Sequence, residues 1–181
     1  QRIHKLLLRG RHRMSIESFT PEEIRSLKRL LEIEAIRKVK NLYSHYMDSG
    51  RIDDLADIFT ENALCEFGPE YGNWVGRETI RANYKGVFAG PDAVVFSAMH
   101  HTGNHLIELT GETTAVGRTY LIDVMNTTPA DKMPIVWFGI YDEAYEKVGG
   151  KWLISRCSLQ FMWPRRMTTE GFVAGNFPVS R

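Results

Sequence analysis

His100, Asp48 and Asp123 are the residues of this sequence best suited to move a proton, and Tyr43 is suited to hold a substrate oxygen. An imidazole takes or gives a proton near neutral pH. A carboxylate beside it orients the ring and supports its charged form, so Asp48 or Asp123 would complete a dyad with His100. The competing reading is a core histidine satisfied by one hydrogen bond. Tyr43 and Tyr46 stand near the end of a long predicted helix, where a phenol can donate to a substrate carbonyl or hydroxyl. Each also reads as a core aromatic with a wet hydroxyl, and Asp48, two residues before Gly50, as a helix-end turn residue. His100, His101 and His105 invite a metal assignment, but strand alternation turns His101 and His105 away from His100. No acid of the strand completes a ligand set. No metal and no cofactor are expected. Nucleophile elbows, phosphate-binding glycine loops and dinucleotide fingerprints are absent from the sequence.

Two hairpins decide which of these groups meet. Thr110-Gly111-Glu112-Thr113 and Val148-Gly149-Gly150-Lys151 read as two-residue turns. With Gly111 and Glu112 as the loop, His100 stands opposite Asp123 and Asn104 opposite Thr119. All four share one face with Leu106 and Leu121; a bulge would shift this pairing by one residue. The second hairpin sets Phe138 against Phe161, on the face of Leu159 and Trp163. A mostly apolar wall with a few inward polar groups suits a small-molecule site. Its expected lining is Tyr46, Asn104, Thr119, Leu121, Leu159, Phe161 and Trp163.

The elements that position these residues are legible. Thr20-Pro21-Glu22-Glu23 carries a cap, a first-turn proline and a capping box. Apolar residues then recur at helical spacing through Ile24, Leu27, Leu31, Ile36, Val39, Tyr43 and Met47, with Gly50 as the stop. A break near Leu31-Glu32 is possible, given the length. A second helix starts at Asp53 and Asp54, with Leu55, Ile58 and Phe59 as its buried stripe. A short strand spans 63–67, a turn 68–72, and a third helix 76–88 with Ile80 and Tyr84. Four strand-rich runs follow at 95–109, 114–128, 134–148 and 151–163. Helices first and an antiparallel meander afterwards make an α+β fold: a curved, mainly antiparallel sheet wrapped around N-terminal helices, cone-shaped, with a central pocket.

The chain has 181 residues, 43% hydrophobic and 25% charged, which fits one globular domain with a real core. No apolar run approaches a membrane span. Cys65 and Cys157 show no metal-type spacing and read as reduced thiols of a cytoplasmic protein. The formal charge of +1 is uneven. Residues 1–13 hold Arg2, Lys5, Arg9, Arg11 and Arg13 and no acid, so the remainder carries −4. A mildly acidic body lacks the basic stripe that nucleic acid needs. Residues 1–19 are expected to be a basic leader, disordered or a start-site artefact upstream of Met14 rather than a functional arm, and lack the cleavage site of a secretory signal. Residues 20–163 form the domain. Residues 164–181, with Phe172, Val173 and Phe177, are expected to cover the pocket mouth or a subunit interface in a homodimer or homotrimer.

The run Ile36 to Tyr43 with Asp48, the runs Met99 to His105 and Gly117 to Asp123, and Tyr141 to Trp152 with its Gly149-Gly150 turn resemble SnoaL-like proteins of the nuclear transport factor two-like superfamily. The resemblance spans about Glu32 to Trp163 and rests on the order and spacing of these motifs. Within the superfamily it is nearest to the bile acid 7α-dehydratases, with scytalone dehydratases and hexachlorocyclohexane dehydrochlorinases further off. It implies a histidine base at His100, a carboxylate partner at Asp48, a substrate-binding tyrosine at Tyr43 and a second carboxylate at Asp123. The bile acid enzymes carry an arginine where this sequence has Phe161, which favours an apolar, uncharged ligand here. The expected activity is a dehydratase-like elimination from an alicyclic or polycyclic substrate. The alternatives are a ketosteroid-isomerase-like isomerase, a polyketide cyclase, a ligand-binding module and a dioxygenase small subunit.

Overall fold

A computed structural model describes residues 19–90 and 94–172. Contacts divide the chain into two units, Gln1–Leu31 and Glu32–Arg181. In the first, Thr20 and Glu23 form the expected capping box. The Thr20 backbone N–H donates to Glu23 Oε2 at 2.7 Å, and the Glu23 N–H donates to Thr20 Oγ1 at 3.2 Å. The basic leader, except for Phe19, lies outside the described residues.

Helix α1 runs Pro21–Asp48 without a break at Leu31-Glu32. Within the second unit its buried stripe is Ile36, Val39, Lys40, Tyr43 and Ser44, spaced as one helix face requires. Glu32 ties this helix to the last hairpin, accepting from Lys147 Nζ at 2.7 Å and from Trp152 Nε1 at 2.6 Å. Helix α2 (Ile52–Asp57) is followed by strand β1 (Phe59–Glu66), so Phe59 opens the strand instead of closing the helix stripe. The turn at 68–72 is a short helix, α3 (Gly68–Tyr71), leading into β2 (Asn73–Val75) and then α4 (Arg77–Val87). The meander is β3 (Ala98–Leu109), β4 (Thr114–Met125), β5 (Ile135–Val148) and β6 (Lys151–Trp163). No described helix is long and apolar enough to cross a membrane.

The six strands make one curved, unclosed sheet in the order β2-β1-β6-β5-β4-β3. Every pairing is antiparallel except β1 with β6, where Cys65 lies beside Cys157. Both thiols are free and buried, and burial pushes that of Cys157 well above its usual range. Strand β2, which the sequence reading missed, is three residues long and carries no periodicity of its own.

Both hairpin registers depart from the simple expectation. In β3–β4 the pairs nearest the turn, Leu109–Ala115 to Leu106–Arg118, are offset by one residue. A bulge between Gly103 and Leu106 removes that offset, so His100 stands opposite Asp123 as predicted. Beyond the bulge the faces are exchanged. Asn104, at φ 52°, is exposed and does not face Thr119, and Leu106 is exposed as well. His105 turns inward with Ile107, against the expectation that it faces outward with His101. In β5–β6 two bulges on β6 move Phe138 opposite Trp163 instead of Phe161. Phe138 and Trp163 therefore pack on the outer face as a tilted pair with ring centroids 5.7 Å apart, both about half exposed. Gly139 takes the position opposite Phe161. Of the expected tail, Met167 folds back beside β6 and exchanges backbone hydrogen bonds with Phe161, and the Phe172 ring centroid lies 5.2 Å from Arg118 Cζ on β4. Val173 and Phe177 lie outside the described residues.

Candidate functional site

Asp48 is the last residue of α1, and its carboxylate reaches across to the edge strand β3. Its Oδ2 accepts the backbone N–H of His100 at 3.0 Å, and its Oδ1 meets His100 Nδ1 at 2.5 Å. One residue is thus gripped twice, at the main chain and at the ring. A carboxylate at Nδ1 favours the tautomer with its proton there, which turns the lone pair of Nε2 away from Asp48. Nε2 lies 4.0 Å from Asp123 Oδ2, while Asp123 Oδ1 is buried without a partner. Burial raises the Asp123 carboxyl from its ordinary value, opposed by His100.

His100 and Asp123 form one polar corner of a cavity of about 260 Å³. Tyr43 and Tyr84 supply another, their hydroxyls 2.8 Å apart. Burial pushes both phenols well up from their ordinary value, so they remain neutral donors at physiological pH. The rest of the lining is aromatic or aliphatic, including Phe67, Trp74, Trp137, Tyr141 and Phe161. Gly139 gives the wall its shape: a Cβ there would stand 2.9 Å from Leu159 Cδ1. A wider cavity of about 880 Å³ shares Met47, Val87, Ala98, His100 and Met125 with the aromatic one. Asp48, Phe96 and Asn126 line it as well.

The structure brings His100, Asp48, Asp123 and Tyr43 together, with Leu121, Leu159 and Phe161 on the same aromatic cavity. Four expected lining residues are placed elsewhere. Trp163 and Asn104 are turned outward by the bulges. Thr119 is fully buried and donates to the Gly103 carbonyl at 2.8 Å. Tyr46 is half-buried outside the cavity, its ring beneath Arg51 with Cζ 4.8 Å from the centroid.

Two sets of residues escaped the sequence reading. Tyr84 was legible only as part of the α4 stripe, and Trp74 sits on the short β2. Trp137 and Tyr141 belong to the inward face of β5 that the unbulged register assigned to Phe138. Below Tyr141 lies a buried ion pair, Lys40 Nζ to Glu143 Oε1 at 2.8 Å. Lys40 Nζ also stands 3.2 Å from the Tyr141 ring centroid. Tyr145 donates to Glu143 Oε2 at 2.8 Å. His105, 3.4 Å from the Tyr145 hydroxyl, is lowered to about 4 by burial. A lysine on a helix stripe gives no sign in sequence that its partner is 103 residues away.

Solved structures share this architecture. A Novosphingobium aromaticivorans protein provisionally described as a scytalone dehydratase is 24% identical, with a TM-score of 0.67, over 82% of this chain and 99% of that one. LinA is 18% identical at a TM-score of 0.64, over 81% and 95% of the two chains. An NTF2-like protein with a cystatin-like fold, also from Novosphingobium aromaticivorans, is 17% identical at 0.66, over 81% and 92%. At such identities the likeness establishes the cystatin-like fold. Residues 28–158, most of the chain, match the SnoaL-like domain, and the chain therefore belongs to that family.

Proposed function

We propose that this protein is a small-molecule lyase that eliminates water from an apolar alicyclic or polycyclic alcohol, with His100 as the base. The observation that carries the reading is the His100–Asp48 contact at 2.5 Å, with Nε2 free at the wall of an aromatic cavity. His100 Nε2 takes a proton from a substrate carbon, and that C–H pair becomes the new double bond. The neighbouring C–O bond breaks, and the departing hydroxyl takes a proton from the Asp123 carboxyl to leave as water. Burial of Asp123 supports its role as the acid. Afterwards His100 holds the extra proton and Asp123 lacks one, and at 4.0 Å the two are close enough to reset through one water. Asp48 supports the imidazolium throughout. Tyr43 and Tyr84 hold a substrate oxygen. The pocket walls described carry no Lys or Arg, which suits an uncharged ligand. The likeness to the protein provisionally described as a scytalone dehydratase supports dehydration as the reaction.

The test is a panel of hydroxylated steroid-like and monocyclic alcohols, read by mass spectrometry for loss of one water. His100→Ala should lower turnover by about 10²- to 10⁴-fold with the fold intact. Tight binding of an unreacted compound, with no water lost across the panel, would defeat the lyase reading.

The paired phenols of Tyr43 and Tyr84 favour a second reading, an isomerase in which they stabilise an enolate oxygen. That enzyme would shift a double bond and exchange a substrate proton with deuterated solvent without any loss of mass as water.

A further inference from the structure

Phe96 has a backbone conformation that its side chain does not favour. Its φ is 58°, in the left-handed region that bulky residues rarely enter. It is the third residue of the tight turn Val94–Ser97, closed by the Ser97 N–H donating to the Val94 carbonyl at 3.1 Å. Glycine or asparagine normally fills such a position. A strained residue persists only where its surroundings hold it, and such residues gather at functional sites.

Both peptide groups of Phe96 are held. Its N–H donates to the Asp48 carbonyl at 2.6 Å. Its own carbonyl accepts from Asn126 Nδ2 at 2.9 Å. Asn126 follows the last residue of β4 and keeps its backbone in step with the sheet, donating its N–H to the Ser97 carbonyl at 2.8 Å. The ladder ends there, because the chain turns away at Phe96. The Asn126 amide takes over as the next donor.

Asp48 therefore has three attachments: its side chain grips His100 at the main chain and the ring, and its carbonyl receives Phe96. α1 ends at Asp48, so no further helical turn fixes that carbonyl. We infer that Asn126 is a positioning residue: by holding Phe96 in its strained conformation, it fixes the end of α1 and aligns the Asp48 carboxylate on His100. The inference rests on His100 and Asp48 being the reacting dyad, but its test does not need turnover.

The test is nuclear magnetic resonance of the ligand-free protein. A proton shared between His100 Nδ1 and the Asp48 carboxylate resonates far downfield of the amides, and its loss in Asp48→Asn assigns it. Asn126→Ala keeps the backbone donor to Ser97 and removes only the side-chain amide. It should broaden or shift the downfield signal and speed exchange of the Phe96 amide by about 3- to 10-fold, the equivalent of one hydrogen bond. Phe96→Gly relieves the strain, since glycine adopts this φ freely. In the Phe96→Gly background Asn126→Ala should leave the downfield signal in place. An unchanged signal and unchanged amide exchange in Asn126→Ala would overturn the inference. So would equal damage from Asn126→Ala with phenylalanine or glycine at position 96. Should Asn126→Ala fail to fold, Asn126→Asp, which keeps the volume and removes the donor, takes its place with the same expectations. If the downfield signal responds as described while no alcohol loses water, the positioning role stands and the lyase reading falls.

Discussion

Replacing Glu143 by glutamine keeps the side-chain volume and removes the charge that faces Lys40. Both partners are essentially sealed from water, with side-chain exposures of 1% and 0%, and their contact is 2.8 Å. The variant leaves the ammonium among the rings of Tyr43 and Tyr141, with Nζ 4.3 and 3.2 Å from their centroids. The rings supply some attraction, but no full negative charge remains against Lys40. Breaking one side of such a pair costs about 3–5 kcal/mol, because the survivor is stranded. For a domain of this size each kcal/mol lowers the melting temperature by about 2–4 °C, so a loss of roughly 6–20 °C is expected. Lys40→Met should cost a similar amount by stranding Glu143 with only the Tyr145 hydroxyl. The double variant Lys40→Met/Glu143→Gln removes both charges and should recover most of the loss, bringing it to about 1 kcal/mol or less. Urea unfolding followed by tryptophan fluorescence measures all four proteins. If the double variant loses the sum of the single losses, the pair is not coupled and the reasoning is wrong.

Asp123→Asn should stabilise the protein at neutral pH, by about 0.5–2 kcal/mol, while harming elimination. Burial raises the folded-state pKa of Asp123, so its contribution is fully present below the unfolded carboxylate value and is lost as pH rises through the raised one. Thermal melts should therefore show the gain at pH 7 and none near pH 3. A gain of equal size at both would refute that cause. Gly139→Ala should cost about 1–3 kcal/mol in urea unfolding, since the new methyl stands 2.9 Å from Leu159 Cδ1 and 3.2 Å from the Gln160 carbonyl; a neutral result would mean that the wall yields there.

The helices and the meander were readable because their signals are local. A capping box, a helical stripe and the Gly149-Gly150 turn lie within a few residues of what they specify. The His100–Asp123 pairing was legible for a less secure reason. The turn at Thr110–Thr113 is one residue longer than expected, and the bulge between Gly103 and Leu106 takes that residue back. Where no second departure compensates, a strand's whole face changes, as at His105 and Asn104. The first bulge on β6 moves Leu159 and Phe161 onto the inward face of Tyr141, and the second leaves Trp163 outside with Phe138. The aromatic cavity was only partly visible because Trp74, Tyr84 and Trp137 come from three elements that meet only in space. Lys40 and Glu143 left no trace for the same reason, as each looks ordinary on its own element.

The parallel pairing of β1 with β6 gives the chain a waiting time. Leu64 and Arg156, one of its register pairs, are separated by about ninety residues. At a synthesis rate of 5–20 residues per second, β1 leaves the ribosome roughly 5–20 s before the strand that will cover its inner edge. During that interval only the three-residue β2 is available to pair with it. Phe59, Ala63 and Cys65, fully buried in the finished fold, complete their burial only when β6 pairs with β1. The nascent chain thus presents an unpaired strand edge for seconds, long enough for a holding chaperone to engage it. Closure then joins the first long strand to the last, so the cavity gains its Leu159 and Phe161 wall only when nearly the whole chain has been made.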